Sequence, residues 1–226
     1  MHSPKELSDD FESIQQTNVY GLFMNPVGNY TNENHERDKN AITNFINQCS
    51  QDDLHQSPNT SICHGVTQIG ENNVLDHPLL ATVKETILDA VRQINEGSMQ
   101  YDLSTMELID SHIEVASQNS IYAPHEFSNC LYSGCYFINY DPMKHAPLRF
   151  KRTTQSTFYP IMQCKQTGMT PFNLLDATVP TAEGDIVIFP SNMTHGYETN
   201  GEHNRITLTF NAVSYTHLRA HETSQN

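Results

Sequence analysis

Residues 184–211 read G-D-I-V-I-F-P-S-N-M-T-H-G-Y-E-T-N-G-E-H-N-R-I-T-L-T-F-N. Residues 185–189 form a short apolar run, which Pro190 and Ser191 end. From Arg205 the pattern alternates. Arg205, Thr207 and Thr209 fall on one face of a strand, and Ile206, Leu208 and Phe210 on the other. His195 lies in the turn-rich stretch between these two strands. Upstream, residues 124–137 read P-H-E-F-S-N-C-L-Y-S-G-C-Y-F and have the same composition, a histidine (His125) followed by a strand-like run. Histidines on two strands distant in sequence can meet at one metal if the strands lie close in a sheet. His125 and His195 are therefore the candidate ligands. In a half-buried strand the polar face carrying Arg205 is the surface, unless the inside of a barrel is the polar side.

The flanking sequence fits a β fold with helices packed outside it. Residues 34–49 place Ile42, Phe45 and Ile46 at helical spacing, and residues 76–96 align Leu80, Val83, Ile87, Val91 and Ile94 on one face. Asp76 is the expected cap of the second helix, Pro78 suits its first turn and Gly97 its end. From Met106 the period changes. Met106, Leu108, Ile109, Ile113 and Val115 suggest a strand, and strand-like runs follow at 130–140, 148–150, 157–161, 185–189 and 205–211. A short strand is expected at 19–23 and a turn at 25–29 (N-P-V-G-N). Residues 50–73, rich in Asp, Gln, Ser and Asn, read as loop. Two helices followed by many strands predict a mainly β fold, a sandwich or barrel with flanking helices.

A net charge of −14 argues against sequence-independent nucleic-acid binding, which needs clustered Lys and Arg. Five cysteines without a C-x-x-C predict neither a disulfide framework nor a cysteine zinc site, and a reducing cytoplasm fits them best. Cys130 and Cys135 are expected to be small buried apolar residues. No apolar run reaches the length of a membrane span, and the first ten residues lack the apolar core of a secretory signal. Residues 1–17 are expected to be frayed and residues 18–213 to form one domain. Residues 214–226, beginning S-Y-T-H-L-R-A-H-E-T, resemble translated sequencing-adapter read-through of the kind that ends environmental gene fragments. Such a tail is no part of the fold, and His217 and His221 within it are not metal candidates.

The two quoted stretches resemble a subgroup of the 2-oxoglutarate/Fe(II)-dependent dioxygenases found in marine phage and bacterial genomes. The pattern there is roughly H-x-H/D-x-N-x-x-x-S-G-x-Y-Y, then F-P-S-x-x-x-H, then R-x-S/T-x-x-F-N. Residues 105–212 carry the resemblance, and Leu22 to Val27 are similar to the family's opening strand and turn. The resemblance implies a double-stranded β-helix, the cupin-like jelly-roll. It also implies Fe(II) on His125 and His195, and 2-oxoglutarate as co-substrate with O2. Arg205 is implied at the far carboxylate of 2-oxoglutarate, where a guanidinium can make a bidentate pair. Thr207, two residues on, shares its face. Tyr132 is a further hydroxyl candidate for the co-substrate. The implied activity is hydroxylation coupled to decarboxylation of 2-oxoglutarate to succinate, on a small-molecule or protein substrate that the sequence does not name.

One position departs from the pattern. Phe127 stands two after His125, where the family has His or an acid, and a phenyl ring cannot bind iron. Glu126, Asp141 or a two-histidine site with water or halide in the third place are the alternatives within an enzyme. A jelly-roll homologue that has lost catalysis and acts as a binding module is the alternative outside it. A cupin-like metal protein without 2-oxoglutarate is a third reading, against which the placing of Arg205 argues.

Overall fold

The computed structural model describes residues 25–49, 54–56, 63–70, 73–152, 167–170 and 173–214. The strand expected at 19–23, the run at 157–161 and the tail from residue 215 lie outside these. In chain order the elements are β1 (Gly28–Thr31), α1 (His35–Gln48), β2 (Leu54–Gln56), β3 (Cys63–Ile69), α2 (Ala81–Gly97), β4 (Met106–His125), β5 (Tyr132–Asn139), β6 (Arg149–Lys151), β7 (Asp176–Thr178), β8 (Asp185–Pro190), β9 (His195–Tyr197) and β10 (Arg205–Ser214). Their ladders are antiparallel. The strands run in the order β1-β8-β5-β10-β4-β9-β6-β7, with β3 also on β4 and β2 on β3. The strand β4 is long enough to serve two groups of partners. Its first part pairs with β10 and β3, and its last residues pair with β9, so the sheet curls into a half-barrel. This is the expected jelly-roll.

Alternation along β5, β8 and β10 decides what lies inside. Tyr132, Tyr136, Ile138, Ile186, Ile188, Leu208 and Phe210 face the helices. There they meet Ile42 and Phe45 of α1 and Val83, Ile87 and Val91 of α2 in one core. Each such side chain contributes roughly 1.5–3 kcal/mol by leaving water. The opposite face sends Cys135, Phe137, Val187 and Phe189 against Leu148 and Phe150. Gly134 sits directly across from Phe210 on β10. A Cβ at Gly134 would run into the Phe210 ring, so the close ring-to-backbone packing requires glycine there.

Several expectations are corrected. Residues 25–29 are not wholly a turn, because Gly28–Thr31 pairs with β8. Residues 50–73 are not all loop, since they contain β2 and β3. In β3 the buried residues Cys63, Val66 and Ile69 recur every third position. A register shift against β4 at Gly65, held at φ +69°, interrupts the alternation that would have marked the strand. Asp76 caps no helix. Two one-turn 3-10 helices, Val74–Asp76 and Pro78–Leu80, precede α2, and Asp76 instead pairs with Lys84 at 2.7 Å. Cys130 is half-exposed in the loop before β5, whereas Cys135 is buried. No helix among the described residues is long and apolar enough to cross a membrane.

Candidate metal centre

His125 ends β4 and His195 begins β9, and the two are register partners across that ladder. Cross-strand partners present their side chains together. Their ring centroids accordingly stand 4.4 Å apart. The Nδ1 of His125 lies 3.1 Å from the Ala123 carbonyl, and that of His195 2.8 Å from the Met193 carbonyl. A carbonyl only accepts, so each Nδ1 carries the proton and donates it. Each neutral ring thereby keeps the lone pair on Nε2, the tautomer that a metal ligand needs. Nε2 of His125 is shielded from solvent and has no hydrogen-bond partner. Burial, and next the neighbouring His125, push the His195 imidazole down to about 4. Burial likewise lowers His125. Both rings are therefore neutral at pH 7. Tyr122 stacks on His125 at 4.4 Å and Phe189 packs on His195 at 4.6 Å, which fixes the ring planes.

Phe127 packs against both histidines. Its ring lies 5.1 Å from His125 and 5.2 Å from His195. Neither proposed substitute within the chain takes that place. Glu126 is exposed and accepts a hydrogen bond from Thr194. Asp141 lies in the turn after β5, where it accepts from the Met143 amide at 2.9 Å, and it does not face the histidines.

Arg205 is 1% exposed, although it opens a strand. Its Nε donates to the Ala146 carbonyl at 3.0 Å, and the Tyr197 ring lies 4.4 Å from its Cζ. Thr207 and Thr209 are buried on the same face. The polar side of β10 is thus the inside of the half-barrel. Among the described residues no carboxylate forms an ion pair with Arg205. Tyr132 is misplaced by the sequence reading. The alternation of β5 turns it to the helix side, where its hydroxyl donates to Asn95 Oδ1 at 2.9 Å. Tyr136 shares that side and bonds Asn32 and His35.

Two interior residues escape the sequence reading. Glu114, on β4 opposite Thr207, is 3% exposed and lines the cavity with His125, His195 and Arg205. His112 Nε2 lies 3.1 Å from Glu114 Oε1, and Thr207 Oγ1 donates to Oε2 at 3.4 Å. Burial disfavours the Glu114 carboxylate, but the His112 bond and the charges of His112 and Arg205 outweigh it and hold the group below its usual range. The signal was present in the alternation. If Ile113 and Val115 face the core, His112 and Glu114 must face the other way. The space between these side chains is about 20 Å³, room for roughly one water molecule.

A half-barrel of antiparallel strands holding two neighbouring neutral imidazoles and a buried guanidinium is a jelly-roll with a candidate metal centre. Residues 111–211 match the family described as "Putative 2OG-Fe(II) oxygenase". Solved structures of such proteins share the fold. A prolyl-4-hydroxylase of Pseudomonas putida is 13% identical, with a TM-score of 0.57 over 84% of this chain and 93% of that one. HygX of Streptomyces hygroscopicus, with nickel, 2-oxoglutarate and hygromycin B bound, is 8% identical, with a TM-score of 0.59 over 84% and 83%. The epimerase SnoN, in complex with Fe3+, α-ketoglutarate and nogalamycin RO, is 10% identical, with a TM-score of 0.61 over 85% and 80%. No curated protein matches the sequence. The cofactors of this family are Fe(II) and 2-oxoglutarate. The donor set here fits the metal through two imidazoles, and fits a dicarboxylate through Arg205.

Proposed function

We propose that this chain is an Fe(II)/2-oxoglutarate-dependent oxygenase that hydroxylates its substrate, within a single domain spanning residues 18–213. The observation that supports it most is the pair of neighbouring imidazoles with both Nδ1 protons committed to backbone carbonyls. That arrangement leaves one Nε2 unpartnered in a protein interior, where an unmet polar atom is costly. His125 and His195 would hold Fe(II), and Arg205 with Thr207 would take the far carboxylate of 2-oxoglutarate. Bound iron would supply O2 activation coupled to oxidative decarboxylation of 2-oxoglutarate to succinate. The protein residues orient the co-substrate and exclude water. Phe127, Phe189 and Tyr122 wall the histidines with apolar surface, and Arg205 supplies a fixed positive charge without reorganisation.

The test is calorimetry of 2-oxoglutarate added to the Ni(II)-loaded protein. Saturable binding that weakens at least tenfold in Arg205→Ala is expected. Metal uptake without 2-oxoglutarate binding would return the chain to a cupin-like metal protein. Binding of neither would favour the non-catalytic binding module.

A further inference from the structure

Glu114 is the acidic side chain that lines the cavity between the two histidines and Arg205. A divalent metal on His125 and His195 brings two positive charges into a buried space that already holds a guanidinium. Neutral imidazoles do not offset that charge, and an uncompensated buried charge is strongly unfavourable. Position 127, where the resembling family has His or an acid, is a phenyl ring in this chain. Glu114 stands in the same cavity, 3% exposed, with no direct ion pair to Arg205. Its two oxygens are unevenly held, by His112 at 3.1 Å and by Thr207 at only 3.4 Å. Among the described residues only His35, Glu36 and Glu183 bring three ligand atoms within 4.8 Å of one another. Coordination by Glu114 therefore requires rotation of its side chain. The His35 cluster already holds Lys39 on Glu183 at 2.6 Å and competes poorly as a metal site.

Building on the oxygenase reading, we propose that Glu114 supplies the carboxylate that position 127 lacks, turning from Thr207 onto the metal held by His125 and His195. The same rotation frees the Thr207 hydroxyl and clears space beside Arg205. The cavity now has room for about one water, too little for a five-carbon dicarboxylate.

The test is titration of the EDTA-treated full chain with Co(II), followed by calorimetry and by the visible d–d bands, which report the ligand set. The wild type binds one Co(II). Glu114→Gln, nearly isosteric, weakens binding at least tenfold and alters the bands, and Phe127→Asp added to Glu114→Gln restores affinity. The altered bands separate a ligand from a merely structural residue. Unchanged Co(II) affinity in folded Glu114→Gln overturns the proposal and leaves the oxygenase reading standing. Absence of Co(II) binding in the wild type overturns both. If Glu114→Gln does not fold, Glu114→Asp keeps the charge and shortens the reach. Weaker Co(II) binding is again expected, and unchanged affinity again overturns the proposal.

Discussion

Acidifying the metal-free protein from pH 8 to pH 5 is expected to destabilise it through His195. That imidazole titrates at about 4 in the folded chain against an ordinary 6.5. The unfolded chain therefore binds a proton between pH 6.5 and 4 that the folded chain refuses. Stability is fully present above 6.5 and is lost as pH falls towards 4. Linkage with these two values gives a loss of about 2 kcal/mol at pH 5, a sizeable part of the roughly 5–15 kcal/mol that holds a domain together. Melting would drop by about 4–8 °C for a chain of this size. Lowered carboxyls such as Glu183 titrate below this window, so they do not mimic the effect between pH 5 and 6.5. His112 acts in the opposite sense. Its bond and charge to Glu114 raise it despite burial, so its contribution is complete below 6.5 and fades as pH rises through its folded value. The assay is urea unfolding of EDTA-treated protein from pH 5 to 8, with His195→Asn as reference. If His195→Asn keeps the wild-type slope between pH 5 and 6.5, the buried neutral imidazole is refuted.

Arg205→Lys keeps the charge but not the planar fork, and Ni(II)-dependent binding of 2-oxoglutarate should weaken at least tenfold by calorimetry while Ni(II) binding holds. Phe127→Asp restores the H-x-D form beside His125 and should tighten Ni(II) binding about tenfold or more, as read by competition with a chelator. Gly134→Ala drives a methyl into the Phe210 ring and should cost about 1–3 kcal/mol in urea unfolding, with no direct effect on metal affinity.

What could be read from the sequence followed from period. The stripe of α2 and the alternation of β10 are strong because one face is apolar and the other is not. They mark the helix and the strand, but alternation alone leaves open whether Arg205 faces the surface or a polar interior. The cross-strand meeting of His125 and His195 could be anticipated only by resemblance, because ladder partners are set by tertiary register. Elsewhere the local signal was masked. The strand β3 carries a bulge at Gly65 that breaks period 2, and its polar residues read as loop. Its place in the motif alone puts Tyr132 in the cavity. Its own strand alternation, with Ser133, Cys135 and Phe137 on the inner face, turns it outward. The inward face of Glu114 is hard to read because its strand begins with an imperfect alternation. The shift at Asn211/Ala212 against β4 places Leu108 and Ile113 on one face despite an odd spacing.

The central claim is that the site assembles around a metal despite Phe127. Anaerobic titration of the protein with Fe(II) and 2-oxoglutarate tests it most directly, through the weak visible charge-transfer band of the chelate. A saturable band that disappears in His195→Ala is predicted. A folded protein that shows no band at any concentration of either component would contradict the account.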